Sequence, residues 1–578
     1  MNNINSEIKK RVLLFKIPDC SFPTINAIKD SKNVIKNGNK DLRSTFSYVT
    51  PTISTALAQL GAFLIEYASN DYEIQLIDIS VDSLLESENK SILPESIMER
   101  MDEQIKNTEY DIIGLSTMFV TSDKWTKLAA QLSKKYHPEA PIILGGGYST
   151  ILFEESLKET KADYAVIGEG EDTLLFLLNK IFGIKNKKFE KLFSQISGYI
   201  YWEGKNVCTI PKTTFIQDLD LLPFPAWDLL NGEKYFKGES EQYRFPVITT
   251  RGCPYKCTYC SVFEYNGRMM RCRSKDNVLE EIDYFYKKYS FKHLTFFDDD
   301  VNIKWKLYNS ILKGLIDRNY DIKIRALYMA INAMKKETIE LMAKLGMTAI
   351  CMPLETGTPR MQKEIRKHIN LDKAIEVFNW LKEYDFHIET NFMVGFPQET
   401  MEEIILTIEY SKKIRAHQTS FWIVAPWPGT ELFDYVSDHN HLSKEFDINN
   451  LGYRGTDHFV NVQFDYDEVK TIIYDTNIEL NFLRHLWFED PKHYKDLYAY
   501  WHKIEPNLTE HAILYICLGY LRKKMKLFEE RNYYYLKAQR LFKEEDVIIT
   551  YGKYLDWEEK PILDYKEFLD NEYARENQ

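Results

Sequence analysis

Three cysteines, Cys253, Cys257 and Cys260, lie close together in the stretch Thr249–Arg273 with the spacing C-x3-C-x2-C. Cysteine sulfur is a soft ligand of the kind that iron–sulfur clusters and zinc ions take. Three such ligands would leave one iron of a four-iron cluster open to a substrate. A zinc site or a redox pair would use the same residues, and Cys272 is a candidate fourth ligand.

A short apolar segment, Phe245–Thr250, precedes the cysteines and is typical of a β-strand. Gly252 and Pro254 interrupt that pattern, so the cysteines are predicted to lie on a loop at the C-terminal end of the strand. Zinc sites usually complete a tetrahedron with a second C-x2-C or a pair of histidines. The remaining cysteines are isolated in the sequence, at positions Cys20, Cys208, Cys351 and Cys517. Because none of them offers a second zinc-binding pair, an iron–sulfur cluster on the C-x3-C-x2-C loop is favoured over a zinc site.

This loop resembles the cluster-binding loop of the radical S-adenosylmethionine (SAM) enzymes. In that family three cysteines hold a [4Fe-4S] cluster, and its free iron binds the amino and carboxylate groups of SAM. The resemblance implies that Cys253, Cys257 and Cys260 hold the cluster and that Tyr259 offers an aromatic edge to the SAM adenine. It also implies an external electron donor such as flavodoxin or ferredoxin.

Downstream of the cysteines, strand-like and helix-like segments alternate. This pattern predicts an open (β/α)6 barrel with its site at the C-terminal ends of the strands. The strand-like segments are Phe245–Thr250, His293–Phe297, Lys323–Tyr328, Thr348–Pro353, Phe386–Met393 and Gln418–Val424.

Polar motifs at these strand ends extend the resemblance. Asp298 and Asp299 follow the second strand, where the family holds the SAM amino group, and the sequence does not separate the two. A solvated acidic run is the alternative interpretation. Glu355 resembles a family contact to the SAM ribose or amino group, and Gly395 lies in a segment where adenine approaches the backbone.

Two arginines, Arg271 and Arg273, follow the cysteines in the same stretch. We expect them to be ordinary loop charges, with binding of a carboxylate as the alternative.

The first two hundred residues also alternate between strands and helices, which predicts a doubly wound parallel sheet, Rossmann-like in type. The predicted strands are Arg11–Lys16, Ile74–Ile79, Asp111–Thr117, Pro141–Leu144 and Tyr164–Ile167. Ligands of such sheets bind at the C-terminal ends of the strands, where glycine lets the backbone come close. The candidate binding residues there are Ser116, Thr117, Gly145, Gly146, Gly147, Gly168 and Glu169.

Ser116 and the pair Gly145–Gly146 have the spacing of the serine and double-glycine elements of cobalamin-binding domains. The resemblance implies that these candidate residues bind cobalamin. The D-x-H-x-x-G motif, which supplies a histidine to cobalt, is absent, so no lower-face histidine from that motif is expected. Glycine turns in a flavodoxin-like domain are the alternative. A dinucleotide site is disfavoured because no G-x-G-x-x-G follows the first strand.

Length and composition set the broad class. The chain has 578 residues, 44% hydrophobic and 28% charged, with a net charge of −12, which argues against a large nucleic-acid surface. Because no membrane span or signal peptide is found and the cysteines are scattered, a cytoplasmic protein is predicted. The predicted division is a cobalamin-binding-like domain at 1–215, a linker at 216–244, the barrel at 245–435 and a mainly α-helical domain at 436–578.

The resemblance, which covers residues 10–435, predicts an α/β enzyme with a [4Fe-4S] cluster, SAM and cobalamin. We expect it to methylate an unactivated carbon, or phosphorus, of a small-molecule or peptide substrate through a 5′-deoxyadenosyl radical. A radical cyclisation or rearrangement, with cobalamin as a redox partner or absent, is the alternative. A tRNA methylthiotransferase would need three more N-terminal cysteines, where only Cys20 and Cys208 occur. A zinc-stapled binding protein is the non-enzymatic alternative.

Overall fold

The computed structural model describes residues 9–18, 54–79, 94–237, 243–444, 446–448, 451, 459–460, 462–505 and 508–576. Within these ranges the chain forms two β-sheets built around parallel strands, a small two-stranded ribbon and a C-terminal group of helices. The predicted α/β class is therefore confirmed. In the same ranges, no helix has the length and apolar character needed to cross a membrane.

The first sheet has the strand order β2-β1-β3-β4-β5-β6-β7. Strands β1 to β5 are parallel, as predicted, and the order reverses between β1 and β3. Strands β6 and β7 add an antiparallel hairpin that we did not predict, although Gly204 marks its turn. The strands are β1 Lys10–Lys16, β2 Tyr72–Asp78, β3 Ile112–Ser116, β4 Ile142–Gly145, β5 Tyr164–Val166, β6 Tyr199–Glu203 and β7 Asn206–Ile210.

Helices cover both faces of the first sheet, because successive residues of a strand point to opposite sides. Leu13 and Phe15 pack with Trp125 on one face, whereas Val12 and Leu14 belong to the core on the other. The helices of this half are Thr55–Ala68, Pro94–Asn107, Asp123–Tyr136, Gly147–Thr160, Glu171–Phe182 and Lys187–Leu192.

The second sheet contains six parallel strands in chain order, with β8 and β15 at its edges. The six predicted strands are thus found, in an open sheet whose order suits a (β/α) barrel. The strands are β8 Phe245–Val247, β11 His293–Phe296, β12 Lys323–Ala326, β13 Ala349–Cys351, β14 His387–Val394 and β15 Gln418–Ile423. The helices of this half are Val262–Asn266, Lys275–Tyr289, Trp305–Arg318, Lys336–Lys344, Pro359–Glu364, Leu371–Lys382, Met401–Ile414 and Glu431–Asp438.

The predicted strand Phe245–Thr250 is shorter than expected. It leaves the sheet after Val247, and a separate strand β9, Thr250–Arg251, pairs with β10, Arg271–Cys272, as an antiparallel ribbon. Asp298 is the cause, because its carboxylate accepts the backbone N–H groups of Thr249 and Thr250.

The two sheets share one hydrophobic core, which the predicted linker completes. Trp227 is fully buried and packs edge-on against Phe236 in the short helix Gly232–Phe236, at 5.2 Å between ring centroids. Its neighbour Ala226 donates its backbone N–H to the carbonyl of Ala58 at 2.9 Å. The predicted domain boundaries stay predictions.

The C-terminal part is mainly helical, as predicted, and its first long helix changes character near its end. The helix Tyr466–Ile478 continues into a π-helical turn, Glu479–Leu483. There the side chain of Asn481 bonds both the N–H and the carbonyl of Thr419, so it covers the edge strand β15. The other helices are Tyr494–Ile504, Ala512–Lys524, Phe528–Leu541, Glu545–Tyr551 and Lys560–Glu576.

These helices lie against the N-terminal ends of β14 and β15, away from the strand ends that were predicted to carry the site. Tyr500 donates its hydroxyl to Gln418 at 3.2 Å, and Lys492 pairs with Asp385 at 2.5 Å. The indole of Trp487 lies 5.2 Å from the ring of His417.

Three buried histidines accompany this packing. Burial lowers the pKa of His417 to about 2, and the pKa values of His485 and His511 to about 3. Below pH about 6.5 these histidines become protonated in the unfolded chain but stay neutral in the folded chain. The free energy of unfolding is therefore highest above that pH and falls as the pH is lowered.

We predict that His511→Asn reduces the acid sensitivity of the fold. His511 caps the helix Ala512–Lys524 by accepting the N–H of Leu514 at 3.0 Å, and asparagine can cap without titrating. Between pH 7.5 and pH 5.5 the variant should lose about 1.4 kcal/mol less stability than the unaltered chain, measured by denaturant unfolding. The exposed His439→Asn is the control. Equal losses in all three proteins would contradict the prediction.

Candidate functional site

A single cavity of about 810 Å³ lies between the C-terminal edges of the two sheets. From the first sheet it is lined by the ends of β1, β3, β4 and β5. From the second it is lined by residues at or just after the C-terminal ends of all six strands, β8, β11, β12, β13, β14 and β15. Both predicted binding edges therefore face one space, as expected for ligands of open parallel sheets.

A row of residues in register forms the edge of the first sheet. Lys16 of β1 pairs with Ser116 of β3, which pairs with Gly145 of β4, and all three line the cavity. A Cβ atom built at Gly145 would meet no atom within 4 Å. The space beside Gly145 is therefore not filled by another part of the protein, and it is open to a ligand.

The next two glycines have a different role. Gly146 has φ +87°, and a Cβ there would lie 2.5 Å from the carbonyl oxygen of Thr117. A Cβ at Gly147 would lie 2.0 Å from the carbonyl oxygen of Met118. These glycines let the loops after β3 and β4 pack against each other, although both also line the cavity.

Of the remaining residues predicted to bind cobalamin, two line the cavity and one does not. Gly168 and Glu169 line the cavity. Thr117 is buried, and its hydroxyl bonds that of Thr126 at 3.0 Å instead of facing the cavity. Its role as a binding residue stays a prediction.

The cysteine loop, Cys253–Cys260, enters the cavity at its C-terminal end, where Tyr259 and Cys260 are lining residues. Backbone bonds fix the middle of the loop, because Thr258 donates to the carbonyl of Ile365 and accepts from the N–H of Leu432. All three cysteines are half-buried free thiols. Among the described residues, no three His, Cys, Asp or Glu side chains are close enough to hold a single metal ion.

Burial keeps these thiols protonated in the protein alone. It raises the pKa of Cys253 to about 12 and that of Cys260 to about 11. Burial also raises the pKa of Cys257, against the opposing charge of Lys367. A ligated metal would have to displace these protons, which cysteine-bound iron does. The donor set therefore suits a thiolate-bound cluster.

Cys272, the candidate fourth ligand, lies on β10 opposite Thr250. The charges that act on its thiol are those of Lys304 and Asp298, not those of the three cysteines. Cys20 lies outside the described residues.

The structure separates Asp298 from Asp299. One carboxylate oxygen of Asp298 accepts four hydrogen bonds, from the N–H and hydroxyl groups of Thr249 and Thr250, at 2.6–2.9 Å. Its other oxygen is buried without a partner, and burial raises its pKa to about 6. Asp299 is half-buried, lines the cavity and accepts one bond from Asn266 at 3.1 Å. Asp298 thus anchors the turn before the cysteines, but both aspartates line the cavity and both retain acceptor capacity, Asp298 through its unpartnered oxygen. Contact of either residue with the SAM amino group stays a prediction.

Glu355 has φ +68°, in the left-handed region, and its backbone forms a parallel bridge with Phe392 of β14. Its carboxylate faces Lys367, with 3.3 Å between Oε1 and Nζ. Burial lowers the pKa of Lys367, but Glu355 and Asp300 outweigh it and hold the pKa above its ordinary value. Sequence analysis missed Lys367 and Asp300, since neither stands at a recognisable motif position.

Gly395 has φ +82° and does not line the cavity, whereas Met393 does. The N–H groups of Gly395 and Phe396 both bond one oxygen of Glu399, at 2.7 and 3.2 Å. Burial raises the pKa of Glu399 to about 8. The contact of Gly395 with SAM stays a prediction.

Two buried arginines join the cysteine stretch to the first sheet, and the expectation that Arg271 is an ordinary loop charge is wrong. Arg271 donates to both carboxylate oxygens of Glu169, at 2.8 and 2.5 Å. Arg251 donates to Glu171 at 2.7 Å. We call Glu169, Glu171, Arg251 and Arg271 the Glu–Arg clamp.

Arg273, the second arginine of the stretch, is also held within the protein. It bonds the carbonyl of Ile248 at 3.0 Å and the side chain of Asn277 at 2.7 Å, and it pairs with the buried Glu281. It is therefore not an ordinary loop charge, and both Arg273 and Glu281 line the cavity. Binding of a ligand carboxylate by Arg273 stays a prediction.

Comparison with known proteins agrees with this architecture. Residues 49–178 match the model of the B12 binding domain, and residues 247–410 match that of the radical SAM superfamily. The first match ends within the helix that follows Glu171, and the second begins at the end of β8.

Two curated relatives are similar over much of the chain. An uncharacterized methyltransferase of Pyrococcus horikoshii is 28% identical over 404 residues, which is 69% of this chain and 83% of that protein. An anaerobic magnesium-protoporphyrin IX monomethyl ester cyclase of Rubrivivax gelatinosus is 25% identical over 345 residues, 59% of this chain and 61% of that protein.

Among solved structures, the cobalamin-dependent SAM radical enzyme OxsB, with aqua-cobalamin and SAM bound, has a TM-score of 0.59. It is 14% identical, and the match covers 97% of this chain and 84% of OxsB. At this identity the likeness establishes the fold, and it includes the C-terminal helices.

We predict that Asp298→Ala releases the turn before Cys253. Buried N–H groups of Thr249 and Thr250 would lose their acceptor, so the free energy of unfolding should fall by about 3 kcal/mol or more. Iron and sulfide retained after anaerobic reconstitution should fall as well. Asp299→Ala, which removes a single bond, should cost about 1 kcal/mol and retain the iron. Equal iron content in the two variants would contradict this division.

We predict that Gly145→Leu blocks ligand binding without disturbing the fold, since its side chain would enter open space in the cavity. After incubation with hydroxocobalamin and gel filtration, corrinoid per chain should fall at least about ten-fold, because a filled subsite costs more than 1.4 kcal/mol. The thermal midpoint should be unchanged. Gly552→Ala, where a Cβ makes one ordinary contact, is the control. Undiminished corrinoid in Gly145→Leu would show that this edge is not the binding site.

Proposed function

The chain belongs to the radical SAM proteins that carry a B12-binding domain, and from this we propose that it is a cobalamin-dependent radical SAM methyltransferase. The single observation that carries the proposal is the shared cavity, which the glycine edge of the first sheet and the Tyr259–Cys260 end of the cysteine loop line together. A cofactor on the first edge would face a cofactor on the second, which transfer of a group between them requires.

On the first sheet, we propose that cobalamin lies over Ser116, Gly145 and Gly147, with Gly168 beside them. The open space at Gly145 supplies the close backbone approach that a large planar cofactor needs. No histidine is found among the described residues that line the cavity. The proposed cobalamin would therefore take no histidine from these residues.

On the second sheet, we propose that Cys253, Cys257 and Cys260 hold a [4Fe-4S] cluster. When bound, the cluster would supply one electron for cleavage of SAM, and cobalamin would supply the methyl group. Asp299 and Glu355, both at the cavity, would accept hydrogen bonds from the SAM amino group and ribose. Tyr259, 6.1 Å from Phe396 between ring centroids, would support the adenine.

The chain itself would position the reactants and exclude water. Apolar side chains such as Leu14, Val262 and Trp427 line much of the cavity between the two edges. Lys367 would hold Glu355 in place from behind, through their contact at 3.3 Å.

For the reaction, we propose methylation of an unactivated carbon of a small-molecule or peptide substrate, with electrons from an external flavodoxin- or ferredoxin-like donor. The similarity to a methyltransferase over 83% of its length supports this choice. The similarity to a cyclase favours a second candidate, a radical cyclisation without methyl transfer.

Labelled SAM distinguishes the two reactions. We predict that the reduced, reconstituted enzyme with cobalamin transfers the SAM methyl label into substrate while forming 5′-deoxyadenosine. Unlabelled product together with 5′-deoxyadenosine would favour the cyclisation. Cys257→Ala should abolish 5′-deoxyadenosine formation, yet it should retain cobalamin, because the first sheet does not depend on that thiol. Continued SAM cleavage by Cys257→Ala would refute the cluster assignment.

A further inference from the structure

The Glu–Arg clamp joins the two proposed cofactor sites directly. Arg251 and Arg271 are paired opposite each other on the β9–β10 ribbon, where like charges would repel. They are stable there because Glu169 and Glu171 of the first sheet neutralise them, at 2.5 and 2.7 Å. Arg251 is separated from Cys253 by Gly252 alone.

The side chains of the clamp are buried, and their charges are balanced. Side-chain exposure is 4% for both Glu169 and Arg271, 6% for Glu171 and 14% for Arg251. Lys212 and Asp172, 3.4 Å apart, extend the group, so three buried carboxylates face three buried cations. A group of this kind tolerates little rearrangement, since moving one partner leaves another charge buried and unpaired.

The clamp residues also form part of the cavity surface. Gly168, Glu169, Gly170 and Glu171 line it on one side, and Thr250 and Arg251 line it next to them. A ligand that contacts the 168–171 turn therefore touches the residues that hold the ribbon leading into the cysteine loop.

We propose that the Glu–Arg clamp couples the two sites, so that corrinoid bound on the first sheet increases the affinity of the second sheet for SAM. The inference rests on the proposed function. Glu169 and Glu171 are then positioning residues for the cysteine loop rather than contacts of the corrinoid alone. Because coupling is reciprocal, SAM should tighten corrinoid binding by the same factor.

The test is SAM affinity of the full-length, anaerobically reconstituted protein, measured by equilibrium dialysis without reductant, with and without hydroxocobalamin. In the unaltered chain we expect corrinoid to lower the Kd for SAM by about five-fold or more. In Glu169→Gln the ratio of the two Kd values should fall below about two-fold.

Two further variants separate coupling from simple damage. The double variant E169M/R271M removes one ion pair without leaving an unpaired charge, so it should fold and still lose the coupling. Asp564→Asn also removes a buried carboxylate, here the partner of Lys523 and Tyr535 in the C-terminal helices, and should keep the full ratio. General destabilisation would raise the Kd for SAM both with and without hydroxocobalamin, and it would leave the ratio of the two values unchanged.

The outcomes are distinguishable. Unaltered protein that binds both ligands independently would overturn the coupling while leaving the proposed function intact. Retention of the full ratio in Glu169→Gln and in the double variant would overturn the role of the clamp. Unaltered protein that binds neither hydroxocobalamin nor SAM would overturn the proposed function, and the inference with it.

Discussion

The structure depends most on how the segment Thr249–Arg251, which leads into the cysteine loop, is fixed. Thr249 and Thr250 give four hydrogen bonds to one oxygen of Asp298, which draws the chain out of the second sheet. One residue later, Arg251 is held by Glu171 of the first sheet. The start of the loop is thus bonded to both sheets, and buried bonds of this kind are lost only at a high cost in free energy. The position of the cysteines relative to the glycine edge follows from these two contacts.

The electrostatics of the cavity also follow from burial. Asp298, Asp299 and Glu355 line the cavity, and Asp300 is next in the chain but not among the lining residues. Burial raises the pKa values of the three aspartates. Lys367 provides a buried countercharge to Glu355 and Asp300. A cationic ligand at Asp299 would therefore relieve repulsion among carboxylates that already face one another. This surplus of buried acceptors suits an amino group or a sulfonium better than an anion.

The sequence was sufficient for features that depend on local pattern. Alternating periods located the six parallel strands of the second sheet and the five of the first, and spacing singled out the cysteines and Gly145. Contacts between residues that are distant in the sequence could not be predicted in this way. Glu169 and Arg271 are separated by 102 positions, so no local pattern indicated their ion pair. Asp298 and Asp299 differ only in which way each side chain points, and this depends on the turn at Thr249. Lys367 has no motif at all.

The C-terminal helices lie against the ends of the second sheet's strands that are opposite the cavity. The C-terminal part contacts Asp385, Arg415 and Gln418, at the N-terminal ends of β14 and β15, through Lys492, Glu489 and Tyr500 respectively. Among the described residues that line the cavity, none follows Pro428. In parallel α/β enzymes the N-terminal ends of the strands serve stability and the C-terminal ends serve chemistry. The helices therefore stabilise the open sheet, with Asn481 covering its edge, and the described cavity is formed by the strand ends and loops of the two sheets.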